Sequence, residues 1–340
     1  MLYPITFKPI LKKIIWGGSD ICPFKGITPA QEGIGESWEL SHVDDNYSVV
    51  NNGALEGKDL DELIRTCGKQ LAGGKVMEQF GHTFPLLIKF IDARDNLSIQ
   101  VHPDDALAKK RHNSFGKTEM WYVVKAAERA ALYSGFSQQI DADEYVKRVN
   151  DNTIMDVLQR YEVKEGDVFF LPAGRVHAIG AGCFIAEIQQ TSNITYRIYD
   201  YNRKDANGNG RELHTELAKD AIDYTLSADY RTLYESRKNA VIPLASCPYF
   251  TTNLLDLEAG MTRDFSSLDS FVVYICMDGQ ATLRDNKGNE LPLRRGQTAL
   301  IPADTKHLTL TPSPTVKLME TYIEDGNNSD LQATPRIGKL

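Results

Sequence analysis

Four polar side chains between residues 100 and 177 are of types that could bind a divalent metal ion. Gln100 and His102 lie two residues apart in the run LSIQVHPDD, so on a strand both would face the same side. Glu119 begins the next apolar run, and His177 follows a turn. Two imidazoles, a carboxylate and an amide oxygen suit Zn²⁺ or another first-row divalent ion, with room for a water or a substrate oxygen. The alternative is that Gln100 and His102 are polar residues at a strand end.

The turn that precedes His177 is repeated later in the chain. Residues 166–177 read GDVFFLPAGRVH and residues 296–307 read GQTALIPADTKH, with Gly, Pro, Ala and His at the same offsets. A similar apolar run, MWYVVKA or FVVYICM, lies upstream of each copy. Because an internal sequence repeat indicates a repeated structural unit, we predict two related β-barrels of the jelly-roll type. Pro172 and Gly174 would restrict the first turn and hold His177 on a rigid support.

Short apolar runs separated by Gly, Pro and Asn predict a mainly β protein with accessory helices. We predict strands at 84–93, 120–126, 167–174, 183–190, 271–277 and 298–304. Helical spacing after acidic or Thr residues predicts helices at 59–71, 104–112, 141–151, 153–161 and 212–223.

We expect two domains, with a metal site only in the first. Residues 1–238 would form the first barrel with its accessory helices, and residues 239–340 the second. Aligning FVVYICM with MWYVVKA places Ser270 opposite Glu119, and no Q-x-H precedes it. His307 alone cannot hold a catalytic metal, so the second barrel is predicted to be vestigial.

Composition and charge exclude several classes of protein. The chain has 340 residues, of which 42% are apolar and 25% charged, as in ordinary globular proteins. A formal net charge of -8 without a Lys/Arg cluster argues against a nucleic-acid partner. No stretch is long enough for a membrane span, and the first residues do not form a signal peptide. We therefore expect a cytoplasmic protein, with its oligomeric state left open.

The cysteines and the remaining histidines lack a site pattern. The five cysteines are odd in number, widely spaced and never in a CxxC arrangement, so we predict buried free thiols and a metal with nitrogen and oxygen ligands. We predict ordinary surface or core positions for His42, His82, His112 and His214.

Several motifs resemble those of the type I phosphomannose isomerase family. The run FPLLIKFIDARDNLSIQVHPDD is similar to the family's apolar strand with Lys followed by L-S-I-Q-V-H-P. Residues 117–121 resemble its K-P-E block and residues 172–177 its P-A-G-x-x-H turn. Residues 187–197 resemble the stretch that ends in its active-site arginine. The resemblance is clear over residues 84–203 and implies cupin-like barrels in the compact bacterial form of the family.

The resemblance also implies an activity and a set of site residues. It implies a zinc-dependent enzyme that interconverts mannose 6-phosphate and fructose 6-phosphate through an enediol, with one zinc ion per chain. The implied zinc ligands are Gln100, His102, Glu119 and His177. The implied active-site arginine is Arg197, and the residues implied around the sugar phosphate are Ser98, Lys89, Lys117 and Glu187. Our catalytic candidates are therefore Arg197, Glu187 and Lys117.

Two departures from the family pattern leave the proton-transferring group open. Thr118 replaces the usual Pro, and Gly116 stands where longer relatives carry a His. Glu187, a hydroxyl or water at the metal, and a lysine of depressed pKa are all chemically possible bases. Alternatively, Glu187, Gln189 and Gln190 alternate along a solvated strand.

Two other functions compete with isomerisation. Proteins with two such barrels can be iron or manganese dioxygenases, and a sugar-phosphate-binding module could retain an inactive site. A Gln ligand with Lys and Arg nearby favours a sugar phosphate over an apolar aromatic substrate. The complete ligand set together with Arg197 favours an enzyme over a binding module.

Overall fold

The computed structural model describes residues 2–204 and 207–324, which are mainly β-strand. The strands before residue 235 are β1 (Ile5–Lys8), β2 (Ile10–Gly18), β3 (Ile34–Leu40), β4 (His42–Val43), β5 (Asn46–Tyr47), β6 (Val49–Val50), β7 (Leu86–Ala93), β8 (Ile99–Val101), β9 (Glu119–Ala126), β10 (Ala131–Phe136), β11 (Leu158–Glu162), β12 (Val168–Leu171), β13 (His177–Ile179), β14 (Cys183–Gln190), β15 (Tyr196–Tyr199) and β16 (Arg231–Thr232). The later strands are β17 (Val241–Cys247), β18 (Phe250–Leu257), β19 (Met261–Asp264), β20 (Val272–Asp285), β21 (Glu290–Arg294), β22 (Thr298–Ile301) and β23 (His307–Tyr322).

The helices are short and lie outside the sheets. They are α1 (Ile21–Lys25), α2 (Leu60–Ala72), α3 (Gly74–Phe80), α4 (Asp105–His112), α5 (Ala142–Asn150) and α6 (Thr215–Ala221), with 3-10 turns at Gly53–Leu55 and Ile154–Val157. No helix in the described part of the chain combines the length and apolarity needed to cross a membrane.

Two antiparallel sheets form the first barrel. One has the strand order β16-β12-β9-β14-β7-β2-β3 and the other β11-β10-β13-β8-β15. Trp121 and Ile185 of the first sheet share an apolar cluster with Leu132 and Ile179 of the second. The inner faces of the two sheets therefore pack on each other, as expected for alternating strands that bury one face.

A larger antiparallel sheet forms the second barrel. Its path is β17-β18-β23-β20-β22-β1-β6, with β19 and β21 paired to β23 and β20. The long strands β20 and β23 change register at bulges, which lets them bend around their own apolar core. Together the barrels confirm the predicted mainly β, jelly-roll fold class.

The first strand of the chain belongs to the sheet of the second barrel. Ile5 pairs with Leu300, and Phe7 on the other side pairs with Val50. The division at residue 238 stays a prediction, but this strand joins the beginning of the chain to the later unit.

A shared core and the end of α2 link the barrels. The rings of Phe84 and Phe271 lie 4.5 Å apart in a cluster that contains residues of both units. Phe271 N–H donates to Ala72 O at 3.2 Å. Gly73 has φ of 99°, and a Cβ there would lie 2.2 Å from Asp269 O. Only glycine permits this close approach.

Most predicted elements are present, and one is wrong. The six predicted strands are found, as are the helices predicted near α2, α4, α5 and α6. The helix predicted at 153–161 is instead a 3-10 turn followed by β11. Asn152, at φ of 56°, ends the helical path after α5. Leu158–Glu162 then pairs with β10, and this sheet pairing overrides the helical pattern of the segment.

Both copies of the repeat fold as a strand, a turn and a strand. The register in which the first of these strands pairs with its neighbour shows that the predicted alignment of Ser270 with Glu119 was wrong. Leu171, before the first turn, pairs with Glu119. Its equivalent, Ile301, pairs with Val272. Val272, and not Ser270, is therefore the counterpart of Glu119, because strand pairing rather than the apolar run sets the register.

The five cysteines are unpaired thiols. Four are buried as predicted, but Cys67 on α2 is partly exposed, so the prediction was wrong at this position.

Candidate metal centre and active site

Three neighbouring strands of the first barrel carry a row of polar side chains. His177 on β13 pairs with Gln100 on β8, and Gln100 pairs with Arg197 on β15. Directly opposed residues of antiparallel strands point to the same face, so the three side chains lie side by side. His102, just beyond the end of β8, lies two residues after Gln100 and faces the same way.

Both histidines present Nε2 to this space. His102 Nδ1 lies 2.8 Å from Ile194 O, and His177 Nδ1 lies 2.8 Å from Arg175 O. Because a carbonyl oxygen only accepts, each Nδ1 carries the hydrogen and each Nε2 has a free lone pair. Burial lowers the pKa of His177 to about 4 and the pKa of His102 well below its ordinary value. Both imidazoles are therefore neutral, which is the form that binds metal ions.

Glu119, at the start of β9, faces both imidazoles from the opposite sheet. Its Oε1 lies 3.3 Å from His177 Nε2, and its Oε2 lies 3.5 Å from His102 Nε2. The side chain is completely buried. Burial, with a further contribution from Glu187, raises the pKa of Glu119 to about 7.

The three side chains fit a metal ion. Neither oxygen of Glu119 nor Nε2 of His102 makes a well-directed hydrogen bond, although these atoms are buried; Glu119 instead forms an ion pair with Lys117, whose Nζ lies 3.2 Å from Oε2. Buried polar atoms without a partner are costly and rare, so we expect an external ligand to complete this cluster. The ligand atoms of His102, Glu119 and His177 lie within 4.8 Å of one another. In the described residues this is the one group of three or more His, Cys, Asp or Glu side chains with such an arrangement.

Gln100 supplies a fourth polar group beside the cluster. Its Nε2 lies 3.2 Å from His177 Nε2. Rotating the amide by half a turn exchanges this nitrogen with Oε1, which is the atom that could bind a metal ion.

Glu187, on β14, forms a second acidic position in the same barrel. Trp121 Nε1 donates to its Oε2 at 2.8 Å, and Lys89 Nζ lies 3.3 Å from its Oε1. Burial alone would raise the pKa of Glu187, but Lys89, Lys117 and the Trp121 N–H outweigh burial and hold it below its ordinary value. Burial would lower the pKa of Lys89, but Glu36 and Glu187 raise it above its ordinary value. Glu187 and Lys89 therefore form a charged, buried pair.

The solvated-strand alternative for β14 is wrong. Glu187, Gln189 and Gln190 are all buried, because β14 lies in the middle of its sheet between β7 and β9. Gln190 Oε1 accepts the N–H of Thr118 at 2.8 Å. A Pro at position 118 has no N–H to donate, so the departure from the family pattern creates this contact. It fixes the segment that leads into Glu119.

The lysines and the serine implied around the substrate lie in buried positions. Lys117 Nζ lies 3.2 Å from Glu119 Oε2, and both side chains are almost fully buried. Ser98 is buried just before β8, two residues from Gln100. The roles of Ser98, Lys89 and Lys117 at a sugar phosphate stay predictions.

Arg197 is half-buried at the end of the polar row. Its Nη1 donates to Glu212 O at 2.9 Å, and its buried Nε has no partner. Burial lowers the pKa of Arg197, and the nearby Arg211 lowers it further. A cationic donor is thus held beside Gln100 with its buried Nε N–H unused.

The second barrel has no metal cluster among its described residues. Val272 replaces Glu119, and the side chain of His307 is 53% exposed with Asp264 Oδ1 3.6 Å away. Glu320 pairs with Tyr274 on β20, at the register that Glu187 and Trp121 have in the first barrel. The site is therefore absent, while one buried glutamate is retained.

The contacts of Glu320 are made within the second barrel. Tyr274 Oη donates to Glu320 Oε2 at 2.5 Å, and Asn253 Nδ2 donates to Oε1 at 3.1 Å. Arg263 donates to both oxygens, at 2.8 and 2.9 Å. The carboxylate is fully satisfied, which leaves it nothing to offer a ligand.

Sequence reasoning missed three contributions to the site. Trp121 lies in the recognised block, yet nothing in the sequence pointed to its hydrogen bond to Glu187. Gln190 could have been noticed, because two adjacent glutamines are unusual at the end of an otherwise apolar strand. His214 donates its N–H to Arg197 O and accepts the Arg197 N–H at Nδ1. No sequence pattern pointed to it.

Two family models match the chain. The model of the phosphomannose isomerase type I catalytic domain matches residues 5–124, and that of the mannose-6-phosphate isomerase cupin domain matches residues 242–322. The catalytic-domain match contains Gln100, His102 and Glu119.

Curated proteins and solved structures agree with these matches. Mannose-6-phosphate isomerase ManA of Bacillus subtilis is 33% identical, over 88% of this chain and 93% of its own length. Mannose-6-phosphate isomerase of Streptococcus mutans is 33% identical, over 90% of this chain and 94% of its own. A crystal structure of mannose 6-phosphate isomerase from Bacillus subtilis superposes with a TM-score of 0.84 and 31% identity, over 94% of this chain and 99% of its own.

Proposed function

The chain belongs to the type I phosphomannose isomerase family, and we propose that it interconverts mannose 6-phosphate and fructose 6-phosphate in its first barrel. The observation that carries this proposal is the buried cluster of His102, Glu119 and His177, in which Nε2 of His102 and both oxygens of Glu119 make no hydrogen bond, with Arg197 two strands away from His177. The substrate is inferred from the relatives that share the fold over nearly the whole chain.

One zinc ion per chain is the proposed cofactor. His102, His177, Glu119 and Gln100 would hold it, in a nitrogen and oxygen ligand set that suits zinc. When bound, such an ion supplies Lewis-acid stabilisation of negative charge on substrate oxygens. The Nδ1 contacts of His102 and His177 with backbone carbonyls support the role, because they orient both rings for ligation.

Arg197 is the proposed electrostatic catalyst. Conversion of the open-chain aldose removes the C2 proton and returns a proton to C1, so an enediol forms between the two steps. Negative charge develops on the oxygens of C1 and C2, and a fixed cation nearby lowers the energy of that state. The unpartnered Nε of Arg197 is a donor that can meet such an oxygen.

Glu187 is the proposed proton-transferring group among the candidates. It is held between Lys89 and Trp121 at 3.3 and 2.8 Å, in a buried place where water does not compete. A charged carboxylate can take a proton, whereas Lys89 is kept protonated by its carboxylate neighbours. Lys117, paired with Glu119, is proposed to balance charge and contact the substrate.

The experiment is direct conversion of purified protein with each sugar phosphate. We expect each sugar to form the other, activity to fall at least about 100-fold after chelation, and zinc to restore it. A metal-replete, folded protein that never forms the partner sugar would refute the proposal. Oxygen consumption linked to bound iron would favour a dioxygenase instead.

The enediol is tested by running the conversion of mannose 6-phosphate in D₂O. The proton that Glu187 takes from C2 can exchange with solvent before a proton is returned, so deuterium at C1 of fructose 6-phosphate would indicate proton transfer through an enediol. Because Glu187 is buried, we expect deuterium in only a fraction of the product, and its absence after many cycles of interconversion would contradict proton transfer through an exchangeable base.

A further inference from the structure

The strand that carries Arg197 is an edge strand held by a separate segment. Within the described residues, strand β15 pairs with β8 and with no other strand. Its outer edge is bonded by residues 211–214, which we call the strap and which lead into α6. An edge strand has a row of backbone N–H and C=O groups without a strand partner, so the strap supplies the bonds that hold Arg197 on this side.

One strap residue satisfies both backbone groups of Arg197. The N–H of Arg197 donates to His214 Nδ1 at 3.0 Å, and the N–H of His214 donates to Arg197 O at 2.7 Å. Both groups point away from β8, so Arg197 and Gln100 form a non-hydrogen-bonded pair, in which side chains approach more closely. A third bond, from Arg197 Nη1 to Glu212 O at 2.9 Å, fixes one arm of the guanidinium.

The strap is anchored at both ends. Near its beginning, Arg211 Nε donates to the buried carboxylate of Asp200 at 2.7 Å. Beyond its end, Arg111 Nη1 on α4 donates to Leu217 O on α6 at 3.0 Å. His214 therefore acts from a fixed support.

We propose that His214 is a positioning residue, which sets the place and direction of the Arg197 guanidinium by bonding its backbone. The proposal rests on the proposed role of Arg197 in the isomerisation. Its basis is the pair of reciprocal bonds, together with the buried Nε of Arg197, which has no partner and can donate to a substrate oxygen. His214 itself touches no group of the metal cluster.

The test compares His214→Ala with His214→Asn in the metal-loaded full chain. Ala removes the acceptor at Nδ1, so we expect kcat to fall roughly 10- to 100-fold, as for a displaced catalytic group. We expect KM to change less than about threefold and zinc content to stay that of the parent protein. Asn can place Oδ1 where Nδ1 lies, and should restore kcat to within about threefold. His82→Ala, at an exposed histidine, is the matched control and should keep parental kinetics.

Structure provides a readout that does not depend on activity. Crystal structures of the two variants should show the Arg197 guanidinium displaced in His214→Ala and in place in His214→Asn. A folded His214→Ala with parental kcat and an unmoved Arg197 would overturn the inference, as would failure of Asn to restore either. If the parent protein itself converts neither sugar, the proposed function fails, and the position of Arg197 in the variants still decides the role of His214.

Discussion

The two barrels place a buried glutamate at equivalent positions of equivalent strand pairs and surround it differently. Glu187 in the first barrel is held by Trp121 and a lysine, beside a cluster with unpartnered ligand atoms. Glu320 in the second is surrounded by Tyr274 and Arg263, among other donors, and has no such cluster beside it. The two barrels share this strand framework. They differ in whether residues of the same barrel satisfy the buried polar groups, which is true of Glu320 but not of the cluster beside Glu187.

This difference shows how two barrels of the same fold can differ in whether they hold a site. A buried carboxylate without a partner is costly, and in the second barrel an arginine of the same barrel removes that cost. In the first barrel the unsatisfied groups persist, as expected where an external partner completes them.

The largest expected effect is on the metal cluster itself. Glu119→Gln removes the charged ligand that faces both imidazoles, so zinc content should fall and kcat/KM should drop by at least about 100-fold. Elemental analysis and kinetics measure both. Val272, its counterpart, offers the matched control: Val272→Ile should leave zinc content and kinetics as in the parent. Full activity of a zinc-free Glu119→Gln protein would break the comparison.

A large effect of another kind is expected at Glu320. Glu320→Gln leaves the guanidinium of Arg263 without its charge partner, so we expect a loss of about 3 kcal/mol in unfolding free energy, the low end for a broken buried pair because Arg263 is partly exposed. Denaturant unfolding measures it. Activity per folded molecule should not change, and a loss of kcat without a loss of stability would give the second barrel a role in the chemistry.

A matched pair of aromatic substitutions gives a smaller effect and separates the two roles. Trp121→Phe removes the N–H that holds Glu187, and we expect kcat to fall about tenfold. Tyr274→Phe removes the equivalent donor to Glu320, and we expect about 1–2 kcal/mol of lost stability with unchanged kcat. Steady-state kinetics and thermal unfolding of both variants test this. Similar kinetic losses in the two would contradict the distinction.

The smallest effect is expected at His307. Because the side chain of His307 is exposed, and so is the neighbouring carboxylate of Asp264, His307→Ala should change the unfolding free energy by less than about 0.5 kcal/mol and leave the zinc content unaltered. His177→Ala, at the equivalent place of the first barrel, should lose zinc. If both variants kept zinc, or both lost it, the two repeats would not differ in metal binding.

Much of the architecture was accessible from sequence because it depends on local pattern. The repeated turn predicted both barrels, since Gly, Pro and His at fixed offsets reflect the same strand and turn geometry. The positions of Gln100 and His102 followed from the period of a strand. These features need no knowledge of distant contacts.

What could not be predicted depends on partners far along the chain. Residues 158–162 have a helical pattern, and only pairing with β10 makes them a strand. The counterpart of Glu119 was misplaced by two residues because register is set across strands. His214 carries no local signal, since its role exists only once the strap crosses the edge of β15.

The pairing of Ile5 with Leu300 has a consequence for biosynthesis. Strand β1 leaves the ribosome long before its partner β22 has been synthesised. Until then the buried side chains of Ile5 and Phe7 lack the sheet that covers them, and the growing chain exposes an apolar, unpaired edge. We expect the pairing of β1 to wait until β22 has been made, and nascent chains halted before β22 to depend on chaperones for their solubility.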